Sequence, residues 1–252
     1  MKLLQSIVVT LALGAGGIST YADSAAPTGT NAVLVAPKPV WVSSAAAGLT
    51  LTRGNSDLLL FTAKVQTDRK TPANEWLLES DAAYGKASGV ENADSLHGSV
   101  QYNQTITERF YGFGNVDALN DGLQDLHYRI MLNPGAGYYF IKDKTTDFVG
   151  EVGPGAVTEK LGGRDENYLS FRLSEHFDQK LSETAKLWEK AEFIPQVDNL
   201  SNYIVNSEIG VQTAISKKLS LQVTLDDAYD NEPAAGRKKN DVKLISGIAY
   251  TF

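Results

Sequence analysis

The chain ends on DVKLISGIAYTF, residues Asp241–Phe252, and with one exception every second position of this stretch is apolar or aromatic. The apolar row finishes on Ile248, Tyr250 and Phe252, whereas the other row carries polar or small residues such as Lys243. A repeat of two residues is typical of a β-strand whose two faces meet different surroundings. A strand this regular at its end needs a neighbour, because an unpaired edge exposes backbone hydrogen-bonding groups. The stretch therefore predicts a closed barrel in which the last strand pairs with the first.

The composition limits what the protein can be. The chain has 252 residues, of which 42% are hydrophobic and 21% charged, so it is suited to one folded domain. The net charge of -7 argues against a nucleic-acid partner, because phosphates need cationic contacts. The absence of cysteine excludes disulfides and thiolate ligands. Gly112-Phe113-Gly114 and Gly153-Pro154-Gly155 precede no helical pattern, so neither predicts a nucleotide site, and we expect no cofactor.

The first residues are typical of an export signal. Met1-Lys2 is a short cationic start, an apolar run follows, and Thr20-Tyr21-Ala22 is a small-x-small cleavage site. The alternative, a membrane anchor, is disfavoured because the apolar run is shorter than the ~20 residues of a spanning helix. We therefore expect a signal peptide over residues 1–22, a flexible N-terminal tail over 23–39 and a barrel over 40–252.

Segments of period two dominate the chain after the tail, and no segment has a convincing amphipathic helical pattern. Only Ser182–Glu192 is compatible with both a helix and a strand. The pattern predicts an all-β fold: a transmembrane antiparallel up-and-down β-barrel of about twelve strands, with the N and C termini periplasmic. The predicted strands are residues 40–53, 56–67, 75–85, 94–105, 108–119, 126–141, 146–160, 167–178, 181–194, 203–216, 219–230 and 240–252.

The positions of aromatic residues favour a membrane barrel over the alternative, a soluble β-sandwich or lipocalin-like barrel. Trp76 and Tyr84 are eight residues apart on one row, which corresponds to about 20 Å in height at the usual strand tilt. Tyr128 and Tyr138 are separated by about 25 Å by the same arithmetic. Such separations match an apolar band between two aromatic girdles. The opposite faces of many strands carry charged residues, as a water-filled lumen does.

The connections between the predicted strands also differ at the two ends of the barrel. Odd-numbered connections such as Lys86–Ala93 and Leu161–Glu166 are polar and longer, whereas even-numbered ones such as Ile106-Thr107 are mostly shorter. Gly54-Asn55 predicts a tight hairpin turn, because it supplies the positive φ angles that such a turn needs. Short turns at one end and longer loops at the other are typical of outer-membrane barrels.

Several stretches are similar to those of a known family. Over residues 40–252 the chain resembles the salt-induced outer membrane protein family, which is described as a domain of unknown function. The resemblance implies a β-barrel in the outer membrane of a Gram-negative bacterium and a connection with salt, and it implies no catalytic residue. The stretches are GLTLTRGNSD at Gly48–Asp57, NPGAGYYF at Asn133–Phe140, EVGPGAVTEK at Glu151–Lys160 and AYDNEPAAGRKKND at Ala228–Asp241, followed by the terminal Tyr-x-Phe.

Strand parity places a set of polar side chains in the predicted lumen. Asp125, His127 and Arg129 share one row and form either an acid–base group or, as we favour, a salt-bridge ladder. Glu175 and His176 are adjacent, so they point to opposite faces and cannot act together. No metal-ligand cluster is recognisable in the sequence. The candidate luminal residues are Glu79, Asp81, His97, Arg129, Glu151, Arg172, His176, Glu208 and Asp226, together with Lys64, Glu159 and Lys243.

These residues favour a barrel that is not an enzyme, with a narrow channel for small ions or solutes under salt or osmotic stress as the leading hypothesis. Mixed charges with an acidic surplus either plug a lumen or favour small cations. The alternatives are an outer-membrane barrel hydrolase and a structural envelope protein without transport. The expected partners are outer-membrane lipid, lipopolysaccharide and the barrel assembly machinery, for which Tyr250 and Phe252 resemble a C-terminal recognition signature.

Overall fold

The computed structural model describes residues 41–52 and 58–252, and twelve β-strands run through these residues. All twelve predicted strands are found, and the segment Ser182–Glu192 proves to be a turn followed by a strand. The predicted signal peptide, the tail and the Gly54-Asn55 hairpin lie outside the described residues. No helix in the described part of the chain is long and apolar enough to cross a bilayer. The strands are β1 Trp41–Thr52, β2 Leu58–Lys70, β3 Asn74–Ala87, β4 Val90–Thr105, β5 Phe110–Asp121, β6 Leu126–Lys142, β7 Thr146–Leu161, β8 Arg164–Lys180, β9 Ala185–Pro195, β10 Tyr203–Ala214, β11 Leu219–Asp230 and β12 Asn240–Thr251.

The strands close into one antiparallel ring. Each strand pairs with its neighbours in sequence, and β1 pairs with β12 to complete the barrel. The ladder between β1 and β12 contains four residue pairs, beginning at Ser44 and Thr251. Phe252 extends this ladder, because its N–H donates to the Ser43 carbonyl at 2.9 Å and its carbonyl accepts from the Ser43 N–H at 3.3 Å. The prediction that the regular last strand pairs with the first is confirmed.

The two faces of the sheet differ as the alternation predicts. Contacts between strands that are far apart in the ring identify the inner row, for example Lys64 of β2 against Glu208 of β10 at 3.1 Å. The other row lies outside and presents exposed apolar side chains such as Leu169, Leu221 and Leu244. A soluble barrel has the opposite arrangement, with its apolar row inside. An apolar exterior around a charged interior is the arrangement of a barrel surrounded by lipid.

Aromatic side chains gather on the outer surface near the end of the barrel that carries Trp41 and Phe252, which we name the terminal end. Trp76 packs on Tyr102 with ring centroids 4.8 Å apart, and Tyr250 stacks on Phe252 at 6.0 Å. Such aromatic rings are favourable where an apolar band meets a polar layer, since they have an apolar body and a polar edge. The opposite end of the barrel is named the far end.

The prediction of longer connections at the far end is wrong for two of them. Strands β3 and β4 continue past their predicted boundaries and meet in a two-residue turn, Ser88-Gly89, with φ angles of 50° and 79°. Strands β7 and β8 meet in the same way at Gly162-Gly163, with φ angles of 58° and 78°. Two consecutive positive φ angles match the twist of the flanking strands, so the hairpins need no longer loop. Among the described far-end connections, the long ones are residues 196–202 and 231–239.

A β-bulge corrects the predicted orientation of one histidine. The pairing of β6 with β7 shifts between Leu126 and Tyr128. Leu126 pairs with Leu161 and Tyr128 with Lys160, so β6 contains one extra residue, His127, at this point. Leu126 and Arg129 are both buried, whereas the His127 side chain between them is 61% exposed. The bulge adds one residue to the row, so strict alternation fails at this point. The predicted ladder of Asp125, His127 and Arg129 therefore does not form.

Part of the barrel interior is filled by apolar side chains. Met131, Val157, Ile194 and Ile204 come from four strands, β6, β7, β9 and β10, and form one buried cluster. Tyr168 of β8 packs against them. Because these residues lie on the inner rows, one side of the lumen is packed near the far end, and polar groups occupy the remaining interior.

Candidate functional site

Four charged side chains cross the centre of the lumen, and we name them the central bridge: Lys64, Glu79, Lys190 and Glu208. The Lys64 ammonium lies 2.8 Å from the Glu79 carboxylate and 3.1 Å from the Glu208 carboxylate. The Lys190 ammonium lies 3.5 Å from Glu79. Strands β3 and β9 are six positions apart in a ring of twelve, so the contact between Glu79 and Lys190 joins opposite walls. The central bridge thus spans the whole lumen.

Neighbouring groups hold the carboxylates of the central bridge in place. Gln66 donates to Glu79 at 2.7 Å, and the indole N–H of Trp188 donates to Glu208. The Trp188 ring lies against Gly210 on the adjacent strand, where any side chain would collide with it. Each carboxylate therefore receives more than one hydrogen bond or cation, which offsets the cost of removing its charge from water.

A second network lies on the β7–β9 wall. The Arg172 guanidinium bonds to Glu151 at 2.8 Å and to Glu192 at 2.9 Å. Gln101 of β4 and Tyr111 of β5 each donate to Glu151 at 2.7 Å. Strand β4 is three positions from β7 in the ring, so this network also reaches across part of the lumen.

A third network lies at the far end. Arg129 of β6 bonds to Glu159 of β7 and, at 2.9 Å, to Asp230 of β11. All three side chains are less than one tenth exposed. Asp230 is the last residue before the connection 231–239, and Ala234 in that connection is buried against Leu126 and Leu161. We name the connection 231–239 the far-end cap, because it is drawn inward over the mouth of the barrel.

His97 lies between two carboxylates on the wall formed by β3, β4 and β5. Its Nδ1 atom is 2.8 Å from Asp81 and its Nε2 atom is 2.6 Å from Asp117. A ligand atom of Glu79, a member of the central bridge, lies within 4.8 Å of the ligand atoms of Asp81 and His97. His176 has one carboxylate neighbour, Asp178, at 3.0 Å.

Asp226 lies level with Glu208 of the central bridge, but it forms no ion pair with a described residue. It pairs in register with Glu208 on β10 and with Lys243 on β12. The Lys243 ammonium extends instead toward Ser95, at 3.3 Å, and Asp121, at 3.9 Å. The Oδ1 atom of Asp226 is inaccessible to solvent, and no described residue donates a hydrogen bond to it. The layer around the central bridge is therefore short of positive charge.

The structure thus sorts the nine residues singled out from the sequence into distinct groups. The first group surrounds the central bridge and His97, and we call it the first layer. The second layer is the Arg172 network, and the third is the Arg129 network. His176 belongs to none of them and lies beside Asp178. The corresponding residues are Glu79, Asp81, His97, Glu208 and Asp226 in the first layer, Glu151 and Arg172 in the second, and Arg129 in the third.

Sequence reasoning missed several members of these groups. Lys190 and Glu192 share a row with Trp188, and this row could have been assigned to the lumen if Ser182–Glu192 had been recognised as a strand. Asp117 and Asp230 lie on the inner rows of β5 and β11, so the alternation of these strands could have assigned both side chains to the lumen. No local signal in the sequence shows which of these charges meet, because their partners lie on distant strands.

Known proteins of similar shape are outer-membrane barrels of low sequence identity. The translocator domain of the autotransporter NalP from Neisseria meningitidis is 16% identical, with a TM-score of 0.46 over 85% of this chain and 88% of that one. An outer membrane channel from Pseudomonas putida F1 is 11% identical, with a TM-score of 0.48 over 84% and 94%. The NanC porin is 7% identical, with a TM-score of 0.44 over 83% and 96%.

No curated protein matches the chain. The family model described as "Protein of unknown function, DUF481" matches residues 45–252, which comprise most of the barrel. The chain therefore belongs to this family.

Proposed function

We propose that the barrel spans the outer membrane of a Gram-negative bacterium, with both termini in the periplasm and residues 1–22 removed as a signal peptide. The apolar outer rows and the aromatic rings at the terminal end support this placement. Each described connection at the terminal end has three or four residues, as periplasmic turns do, whereas the far-end cap has nine. The exposed Arg237 and Lys238 in the far-end cap are suited to lipopolysaccharide phosphates.

We propose that the lumen is a narrow conduit for small ions whose resting state is constricted by ion pairs. The observation that carries this proposal is the central bridge, in which Glu79 and Lys190 meet from opposite walls of a polar lumen. Ion pairs between side chains can separate without unfolding the sheet, since no backbone hydrogen bond depends on them. A conduit of this kind passes ions when the bridge opens.

The charges of the lumen favour cations, and the response to salt follows from the same ion pairs. The layer around the central bridge carries more carboxylates than ammonium groups, and acidic rings favour cations. Salt screens charges over about 8–10 Å at physiological ionic strength. The Lys64–Glu79 contact is 2.8 Å long and only about one fifth exposed, so it is weakened only near 1 M salt, where the screening length falls to about 3 Å. We therefore expect conductance to rise more steeply with salt than the conductivity of the solution does.

A structural barrel without transport is the second candidate function. It is favoured by the Arg129 network, which is buried and tied to the far-end cap. The hydrolase alternative gains no support from His97, because both ring nitrogens of this residue are occupied by carboxylates and neither is free to activate a nucleophile.

Planar-bilayer conductance of the purified barrel tests the conduit. We expect small conductance steps for the native protein and larger conductance steps for Lys190→Ser. This substitution removes the ammonium group that strand β9 contributes to the central bridge. Lys144→Ser is the matched control, because Lys144 lies in the exposed terminal-end turn 143–145 and its loss leaves the lumen unchanged.

The outcomes separate the two candidates. Steps that increase with Lys190→Ser and remain unchanged with Lys144→Ser support the conduit. Silence in all three proteins, each shown to be folded by its heat-modifiable migration, refutes the conduit and leaves the structural barrel.

A further inference from the structure

We propose that Glu79, Asp81 and His97 form a luminal binding site for a divalent transition-metal ion such as Zn²⁺ or Co²⁺. This inference rests on the proposed function, since it names a class of cation that the conduit takes up. The ligand atoms of these three residues lie within 4.8 Å of one another. Imidazole nitrogen and carboxylate oxygen are the donors that zinc and related ions accept at about 2.0–2.2 Å.

The β-sheet itself brings the three ligands together. Asp81 and His97 are directly opposite each other on β3 and β4, and both side chains point inward. Glu79 is two residues before Asp81 and therefore lies on the same face. Because the ligands project from two adjacent paired strands, their positions are determined by the register of the sheet.

Asp117 orients His97 for metal binding. Its carboxylate lies 2.6 Å from Nε2, so a proton on Nε2 is held there. The lone pair of the neutral imidazole is then on Nδ1, which faces Asp81 at 2.8 Å. A lone pair and a carboxylate oxygen repel each other at this distance unless a proton or a metal ion lies between them. A carboxylate that holds the remote nitrogen of a histidine ligand is a recurring feature of metal sites, and it makes Asp117 a positioning residue.

The charge of the surrounding layer is able to accept a divalent ion. Its carboxylates outnumber its ammonium groups by six to three, and protonation of His97 removes only one of the three surplus negative charges. A divalent ion bound to neutral His97 removes two. The carboxylates are those of Glu79, Asp81, Asp117, Asp121, Glu208 and Asp226, and the ammonium groups are those of Lys64, Lys190 and Lys243.

Lys64 competes with the metal ion for Glu79, and the structure provides it with another partner. Its ammonium is already 3.1 Å from Glu208. When a metal ion takes an oxygen of Glu79, Lys64 keeps its bond to Glu208. Metal binding and the central bridge are therefore linked through Glu79, so an ion at this site loosens the contact that spans the lumen.

Titration of the tag-free, refolded barrel with Co²⁺ tests the site, with visible absorption as the readout of coordination and calorimetry with Zn²⁺ as the readout of affinity. We expect one ion per chain. His97→Gln should abolish the Co²⁺ absorption, and Asp117→Asn should weaken binding by about 10–100-fold. His176→Gln is the matched control, because His176 also has a carboxylate neighbour, Asp178, but no third ligand among the described residues.

The results that overturn the site are distinct from those that overturn the conduit. Absence of stoichiometric Co²⁺ binding to the folded native barrel refutes the site, as does equal weakening by His97→Gln and His176→Gln. Conductance steps that persist in either case leave the conduit intact. Binding of one ion that depends on His97 supports the site even if the bilayer recordings are silent.

Discussion

Replacing Arg129 with leucine should destabilise the barrel strongly, although a luminal arginine looks replaceable from the sequence. Arg129 bonds to Glu159 and Asp230, and the two carboxylate side chains are only 2% and 9% exposed. The substitution leaves both of them buried without their cation. Breaking a buried ion pair by removing one partner costs roughly 3–5 kcal/mol, because the remaining charge is uncompensated. We expect a loss of free energy of unfolding of about that size.

Urea unfolding of the barrel refolded in lipid vesicles measures this loss, with tryptophan fluorescence as the signal. Arg164→Leu is the matched control, since Arg164 is 71% exposed and 3.7 Å from Glu166. An exposed pair of this kind contributes at most about 1 kcal/mol. Adding Glu159→Gln and Asp230→Asn to Arg129→Leu should restore most of the stability, because no buried charge then remains.

Two results would refute this reasoning. One is a loss for Arg129→Leu that is no larger than the loss for Arg164→Leu, which would show that the network carries no stabilising charge. The other is a triple variant as unstable as Arg129→Leu alone, which would assign the loss to packing and not to unpaired carboxylates.

Three further predictions concern export, the lipid-facing surface and assembly. N-terminal sequencing of the envelope protein should start at Asp23, and a start at Met1 would contradict signal-peptide cleavage. Ile130→Arg should lower the free energy of unfolding in the same urea assay by ~2–4 kcal/mol, as expected for a cation at the bilayer midplane. Tyr128→Arg, nearer the rim, should lower it by only ~0–1 kcal/mol. Equal losses would show that the two positions do not lie at different depths. Deletion of Phe252 should lower the amount of barrel in the outer membrane sharply while costing the refolded barrel only ~1–2 kcal/mol, and native levels in the membrane would disprove a role in recognition by the assembly machinery.

The sequence predicted the barrel because its main signal is local. A period of two assigns each residue to one of two faces without any knowledge of its neighbours in space, and this sufficed for all twelve strands. It also sufficed for closure, because a regular strand ending on Tyr250 and Phe252 cannot be left with a free edge. The one misplaced histidine, His127, lies at a bulge, where a single added residue inverts the row.

The tertiary structure alone decided which luminal charges meet. Residues 101, 111 and 144 positions apart in the chain are joined in the contacts of Arg129 with Asp230, Glu79 with Lys190 and Lys64 with Glu208. Alternation places each of these side chains inside, but their heights depend on how the strands are staggered when the ring closes. The same stagger places His97 between Asp81 and Asp117, and it draws the far-end cap onto Leu126 and Leu161. The sequence by itself thus determined which face most side chains take, except at the bulge of His127, and only the closed ring determined their partners, because pairing across a lumen depends on the stagger of all twelve strands at once.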